Sequence, residues 1–432
     1  RGLGDVYKRQ LVFRNNKYQI LVSFMLDIKA KPISRSMAKA RTLTRASETE
    51  KDYAAHSLLA TGRWAKIRVG ESGVYRLTDQ VIRQAGFSNI DKVKVFGYGG
   101  NLQNEALYAS EILANDDLKE VPQYVRDGKH YFYAKGPVSW SSNTATRRTR
   151  NPYSDYGYYF ITQSDEAPQT VDSATFVNSF YPSSDFYHSL YEVDGYAWFS
   201  GGRNLYDSKA LNQGASEQIV FTNTTGNAGG KLAVNISTGT SATADVALNG
   251  RTLGKVYAQV SSSEYDFGAE GSTIFTLKNL TIGGNDTITI TNVSGGTMRL
   301  DYVAMVWNAP KALPEFSGKI PAAQFVYNIT NQDHHADAQA DMVIIIPTSQ
   351  KLLKQAKRLK TYHETHNGLR VNLVPADELY NEFSSGTPDA GAYRRYLRML
   401  QDRAEGNEAD MPKYLLLFGD CVWDNRCLLY TS

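Results

Sequence analysis

A change of texture near residue 341 constrains the fold of this chain more than any other feature. MVIIIP (342–347) is a continuous apolar run, the pattern of a strand buried on both faces of a parallel sheet. Residues 350–366 follow with Leu352, Ala356, Leu359 and Tyr362 at helical spacing, and Gly368 closes that helix. LRVNLVP (369–375) reads as a second strand. Thr387-Pro388-Asp389 reads as N-cap, N1 proline and first-turn acid of a helix reaching about Ala404, with Tyr396, Leu397 and Leu400 inward. KYLLLFGD (413–420) reads as a third buried strand. The order βαβαβ predicts right-handed crossovers and a parallel α/β sheet. Its ligand crevice then lies at the carboxyl ends of the strands.

The preceding residues alternate with the shorter period of exposed-face strands. In GRWAKIRV (62–69), Trp64, Lys66 and Arg68 alternate with Ala65, Ile67 and Val69. Glu71-Ser72-Gly73 reads as a turn and VYRLT (74–78) as the returning strand of a hairpin. Residues 79–85 predict a short helix closed by Gly86, and VKVFGYGG (93–100) a strand ending in three turn glycines. Asp127-Gly128-Lys129 predicts a turn between PQYVR and HYFYAKG. Between 185 and 310, IVFTNT, KLAVNIST, ADVALNG, TIFTLKNL, DTITITNV and MRLDYVAMVWN are strand candidates separated by Asn-Gly, Gly-Gly and Asn-Asp turns, which predicts a jelly-roll-like β-sandwich. Pro310, Pro314 and Pro321 mark an extended connector. Residues 11–35 read as a hairpin about Asn15-Asn16, and 36–55 as a polar linker.

Neither terminus reads as native. RGLGDVYKRQ (1–10) is the translation of a transposon-end sequencing adapter, and CLLYTS (427–432) that of its reverse complement. The expected divisions are 1–10 adapter artefact, 11–55 hairpin and linker, 56–184 N-terminal β-rich domain, 185–312 β-sandwich, 313–340 connector, 341–426 partial α/β domain and 427–432 adapter artefact. The fold class is multidomain and mainly β, followed by the first half of an α/β parallel-sheet domain. The formal charge of +3 falls to +1 once Arg1, Lys8, Arg9 and Asp5 are set aside, so bulk charge argues for no nucleic-acid partner. Cys421 is the one cysteine left, which excludes a disulfide scaffold and a cysteine zinc site. The 28 tyrosines and 34 glycines fit a β-rich extracytoplasmic protein. No apolar run reaches the roughly 18 residues of a membrane-spanning helix.

Few residues suggest chemistry. Asp420 stands at the carboxyl end of the third predicted strand, with Asp424 four residues on; both are candidates for an active-site rim. Cys421 lacks a nucleophile motif and reads as a small structural residue. His363 and His366 are spaced i, i+3, not the i, i+4 that brings two imidazoles to one zinc. His334-His335-Ala336-Asp337 reads as a capping or solvated stretch, and Arg147, Arg148 and Arg150 as a solvated loop. Tyr196, Trp198, Tyr206 and Tyr265 are aromatics that could stack on sugar, with core packing the commoner use. The sequence implies no cofactor and leaves room for a structural calcium ion.

Three stretches together resemble a known family. WAKIRVGESGVYRLT (64–78) with KVKVFGYGG (92–100), RLDYVAMVWNAPKAL (299–313), and DHHADAQADMVIIIP (333–347) with KYLLLFGDCVWDNR (413–426) are similar, in that order, to sortases of the type IX secretion system, which carry a gingipain-type cysteine peptidase domain. The resemblance implies a caspase-like parallel sheet with a Cys–His dyad at strand carboxyl ends, removal of C-terminal signals from secreted cargo proteins, and transfer of the acyl group to a lipopolysaccharide amine. It implies outer-membrane secretion components as partners and the cell surface of a Gram-negative bacterium as location. The family's His and Cys lie beyond the third strand, so no residue here matches them. The family has a small residue such as Gly where Cys421 stands. A catalytic pair beyond Arg426 and an inactive fragment are therefore expected. The alternatives are a gingipain-like secreted protease and a non-catalytic surface adhesin or secretion component.

Overall fold

The computed structural model describes residues 53–198, 204–259, 268–419 and 426, together with two short strands nearer the N-terminus. The chain forms two compact units, 1–51 and 52–432. In the first, β1 (Leu11–Arg14) pairs antiparallel with β2 (Lys17–Ile20), Arg14 opposite Lys17. That is the register a turn at Asn15-Asn16 dictates. Those two residues, and 21–52 with most of the expected linker, lie outside the described residues.

The second unit opens with β3 (Trp64–Val69), β4 (Gly73–Leu77), α1 (Asp79–Gln84), β5 (Val93–Phe96), α2 (Ala109–Ala114), β6 (Tyr124–Arg126), β7 (Lys129–Ala134), β8 (Val138–Trp140), β9 (Arg148–Arg150), β10 (Gly157–Gln163) and α3 (Ser173–Asn178). The expected 64–78 hairpin does not form. β3 pairs with β10, whereas β4 pairs with β7 in another sheet. The reason is a shared core. Ala65, Ile67 and Val69 from one sheet and Leu77 and Phe132 from the other bury into one cluster with Val81 and Ile82 of α1, so the turn carries the chain from layer to layer. The outward positions also fail the expected alternation: Trp64 and Lys66 are each 5% exposed, because the second face of β3 is covered as well. The Asp127-Gly128 turn does join β6 to β7.

The sandwich comprises β11 (His188–Glu192), β12 (Ser216–Thr222), β13 (Gly230–Thr238), β14 (Ala242–Leu248), β15 (Arg251–Ala258), β16 (Ala269–Leu277), β17 (Asn285–Gly295) and β18 (Met298–Trp307). Two four-stranded antiparallel sheets, β11-β18-β13-β16 and β12-β17-β14-β15, face each other. Val234, Ile236, Val246, Ile288, Ile290, Val303 and Trp307 fill the space between them. Asn249 and Gly250 both take positive φ, as the tight turn between β14 and β15 requires.

The connector returns to the first domain. β19 (Gln324–Asn328) adds a strand beside β3, completing the sheet β19-β3-β10-β5. The α/β part then follows as β20 (Met342–Ile346), α4 (Leu353–Asn367), β21 (Val371–Pro375), α5 (Ala376–Phe383), α6 (Gly391–Arg403) and β22 (Tyr414–Leu417). The sheet is parallel, ordered β21-β20-β22. Three expectations change here. KYLLLFGD is not a buried strand: among the described residues β22 has one neighbour, β20, and Tyr414, Leu415 and Leu417 are about half exposed. Tyr362 is exposed and stacks on His366 instead of facing inward. The helix α5 is additional, and α6 begins at Gly391, past the expected Thr387-Pro388 start.

Gly100 shows how tightly the layers meet: a Cβ there would lie 2.4 Å from the Gly157 Cα. Gly100→Ala should cost about 1–3 kcal/mol of stability through overpacking. Gly70→Ala, where no atom lies within 4 Å of the added carbon, should change stability by less than half as much. Urea unfolding of both variants checks this.

Candidate functional site

The carboxyl ends of β20, β21 and β22 form the rim where a parallel sheet presents its ligand site. Gly419 sits there, an added Cβ falling 3.0 Å from the Pro347 ring, so the strand ends approach closely. Asp420, Cys421 and Asp424 lie outside the described residues. Arg426 is described, and its Nη1 reaches Asp194 at 2.7 Å and Asp155 at 3.0 Å. The chain leaving the rim is thereby tied to the β-domains.

Arg426 joins a buried ionic cluster. Arg150 reaches Asp155 at 2.8 Å, Asp194 at 3.0 Å and Glu192 at 3.2 Å. The Arg148 Nε donates to Glu192 at 3.0 Å, and its Nη2 reaches Asp301 at 3.2 Å. Four carboxyls thus face three guanidiniums. Burial outweighs the Arg148 charge and pushes Asp301 up to about 7, so the excess negative charge is relieved by a proton near neutrality. The expected solvated arginine loop holds only for Arg147, which is exposed. Arg148 and Arg150 lie in β9 with side chains about one-fifth exposed, because β9 runs beside these acids.

A turn of the α/β domain plugs into the glycines of the first domain. Ser385 and Gly386, at φ 53 and 74, follow α5. The Ser385 Oγ accepts from the Tyr98 N–H at 3.0 Å and donates to the Tyr158 carbonyl at 3.1 Å. A Cβ on Gly97 would lie 2.6 Å from that Oγ. These are therefore close-approach glycines as well as turn glycines. Next to them the Gln103 amide donates to the Phe383 carbonyl at 2.8 Å and the Gln103 N–H to Asp389 at 3.1 Å.

The His334–Asp337 stretch is structural. Glu382 of α5, fully buried, accepts from the His334 N–H at 2.8 Å, the His335 N–H at 3.1 Å and the Gln332 amide at 2.8 Å. Its Oε2 also lies 2.6 Å from the His335 Nδ1. The other ring nitrogen of His335 lies 3.4 Å from the Asp116 carboxylate. Burial alone would lower His335, but the bonds to Asp116 and Glu382 outweigh it and lift the ring to about 10. His334, between Asp337 at 2.9 Å and Glu378 at 2.8 Å, is likewise lifted to about 10. Imidazoles that hold their protons so firmly are poor general bases at neutral pH. They are not solvated, as the sequence suggested, because α5 packs over them.

The other candidates separate. His363 and His366 lie on the exposed end of α4, one bonded to Asn367 and the other to the Tyr362 carbonyl. No group of three His, Cys, Asp or Glu side chains among the described residues is arranged to hold a metal ion. Tyr206 is buried with its hydroxyl on Glu270, and Tyr196 and Trp198 pack edge to face beside the Arg299 guanidinium. These three aromatics are committed to packing, and Tyr265 lies outside the described residues. Sequence reading missed Lys66, Asn381 and Glu382. Lys66 stood at an outward position of an alternating strand, and only the packing of α5 reveals that it is covered. An amphipathic ADELYNEF after a proline was the signal available for α5.

Comparison with known proteins agrees with this geometry. Residues 335–429 match peptidase family C25. The crystal structure of dimeric latent PorU from Porphyromonas gingivalis superposes over 90% of this chain and 44% of its own, with 26% identity and a TM-score of 0.69. The chain is similar to PorU, with a C25 segment at its C-terminal end. It spans less than half of the PorU chain. A family 35 carbohydrate-binding module from Clostridium thermocellum matches 28% of this chain and 92% of its own, at 14% identity and a TM-score of 0.21. No curated protein matches the chain.

The histidine lock has a pH signature. Folded His335, lifted to about 10, keeps a proton that an ordinary histidine near 6.5 releases. Its contribution to stability is full below about 6.5 and fades as pH rises through 10. Glu382→Gln should lose about 3–5 kcal/mol at pH 6, where a buried charge is left without its partner. The gap between variant and wild type should narrow steadily toward pH 10, measured by denaturant unfolding at each pH.

Proposed function

We propose that this chain is the front part of a type IX secretion sortase, a cysteine endopeptidase and transpeptidase at the cell surface of a Gram-negative bacterium. One observation carries the reading: the C25 segment coincides with the β20–β22 parallel sheet, attached to β-domains that together superpose on PorU. In this reading the catalytic His and Cys are supplied by sequence following Arg426. A thiolate activated by the imidazole attacks the cargo's peptide carbonyl at the sheet's carboxyl rim. The acyl-enzyme passes to water or to a lipopolysaccharide amine. Asp420 and Asp424 are this reading's candidate rim acids, on the strength of their sequence position alone. Outer-membrane secretion components are the expected neighbours, no nucleic acid takes part, and no cofactor is needed beyond an optional structural calcium ion. No helix among the described residues is long and apolar enough to cross a membrane, so the reading places the protein at the surface through its partners or through segments other than these helices.

In this reading the domains before and around the C25 segment have a supporting role, with Arg426 bonded to Asp155 and Asp194 of the β-domains. Purified residues 11–426 should show no thiol-dependent cleavage of peptides bearing a secretion-type C-terminal signal, and Cys421→Ala should leave that baseline unchanged. The gene product extended past Arg426 should cleave them and lose all activity on alkylation. Cleavage by 11–426 itself, or an extended product lacking thiol-dependent cleavage, would overturn the reading.

A further inference from the structure

Lys66 is a buried lysine with no carboxylate in salt-bridge contact among the described residues. Its ammonium end is enclosed by rings, with centroids at 4.4 Å for Tyr158, 5.7 Å for Tyr327 and 6.0 Å for Phe160. Its hydrogen bond runs to the Asn381 Oδ1 at 3.3 Å. Both residues are nearly sealed from water, at 5% and 3% exposed. The Asn381 amide cannot rotate freely, because its Nδ2 donates to the Gln332 Oε1 at 2.9 Å. That bond keeps the carbonyl end toward the lysine. The two partners come from different domains: Lys66 from β3, Asn381 from α5.

A carboxyl group completes the set. Asp377 lies one turn before Asn381 on α5, hence on the same helix face. It is the charged group that bears on Lys66 through space. Its Oδ1 is buried and has no hydrogen-bond partner. Burial raises the carboxyl above its ordinary range. Burial equally pushes Lys66 down to about 7, so the neutral amine is well populated near neutral pH. Tyr158 on β10 and Tyr327 on β19 are the other titratable groups facing the ammonium, and burial raises both above 10, so they stay uncharged.

We propose that Lys66 and Asn381 condense into an intramolecular isopeptide bond that joins the N-terminal β-domain covalently to the α/β domain. The neutral Nζ, held 3.3 Å from the Asn381 Oδ1, shifts from hydrogen-bonding that oxygen to attacking the adjoining Cγ. The Nζ–Cγ bond forms, the Cγ–Nδ2 bond breaks, and Nδ2 leaves as ammonia. The proton shed by Nζ balances the one gained by the leaving nitrogen, with Asp377 as the acid that accompanies the transfer. No oxidant or cofactor enters. The aromatic box, with no carboxylate in salt-bridge contact among the described residues, keeps the amine uncharged and water out.

Mass spectrometry of the soluble full chain, denatured after cooperative unfolding has been verified, decides the matter. The chain should weigh one ammonia less than its sequence. Proteolysis should release one branched peptide joining the Lys66 and Asn381 segments, which separates this linkage from ammonia loss at any other asparagine or glutamine. Asn381→Ala and Lys66→Met should restore the full mass. Asp377→Ala should remain folded by thermal unfolding yet stay unlinked, and Asp377→Glu should restore the link; a merely structural role for Asp377 would leave the branched peptide unchanged. A folded wild-type chain with Lys66 and Asn381 in separate linear peptides would overturn the proposal, even if a variant fails to fold.

Discussion

Glu382 is the interaction on which the arrangement of the domains depends. It is a fully buried carboxylate at the end of α5, and it accepts from two successive backbone N–H groups, an imidazole and an amide. Those donors all belong to 332–335, where the connector leaves the first domain's sheet and turns toward β20. A buried carboxylate is costly unless its oxygens are saturated with donors. Here the saturation can occur only if α5 and the connector meet in one register. The protonated His335 carries the constraint on to Asp116, in the loop after α2.

The remaining contacts between domains follow from that meeting. With α5 held, the Ser384–Thr387 turn enters the bed of glycines at 97–100, and Phe383 stacks on the His335 ring. Lys66 is then covered and Asn381 placed beside it. A second buried ionic cluster also joins separate parts of the chain. Arg148, Arg150 and Arg426 share Asp155, Glu192 and Asp194, so the segment leaving the sheet, the N-terminal domain and the sandwich converge on one cluster. The α/β domain is thus bonded to the first domain through α5, and Arg426 to Asp155 and Asp194.

Strand β22 shows the opposite condition. Its Tyr414, Leu415 and Leu417 are partly exposed although their composition is that of a central strand. The apolar pattern describes what a strand is suited to, whereas exposure records how many neighbours it has. Lys66 is the converse case, a polar residue whose environment was supplied by a helix more than three hundred residues away in sequence.

Sequence alone determined the locally encoded features. The apolar run at 342–347, the tight turn at Asn249-Gly250, the helix closed by Gly368 and the alternation of β14 all rest on periods and backbone preferences that act over a few residues. The mainly β order followed by a parallel α/β sheet was legible for that reason. Tertiary structure decided what depends on long-range meeting. It separated β3 from β4, returned the connector to the first sheet as β19, and made the arginines of β9 part of a buried cluster. It also brought Lys66 and Asn381 together and enclosed His334 and His335 against α5. Burial and electrostatic partnership are properties of neighbours in space, and a single sequence carries no local pattern that names them.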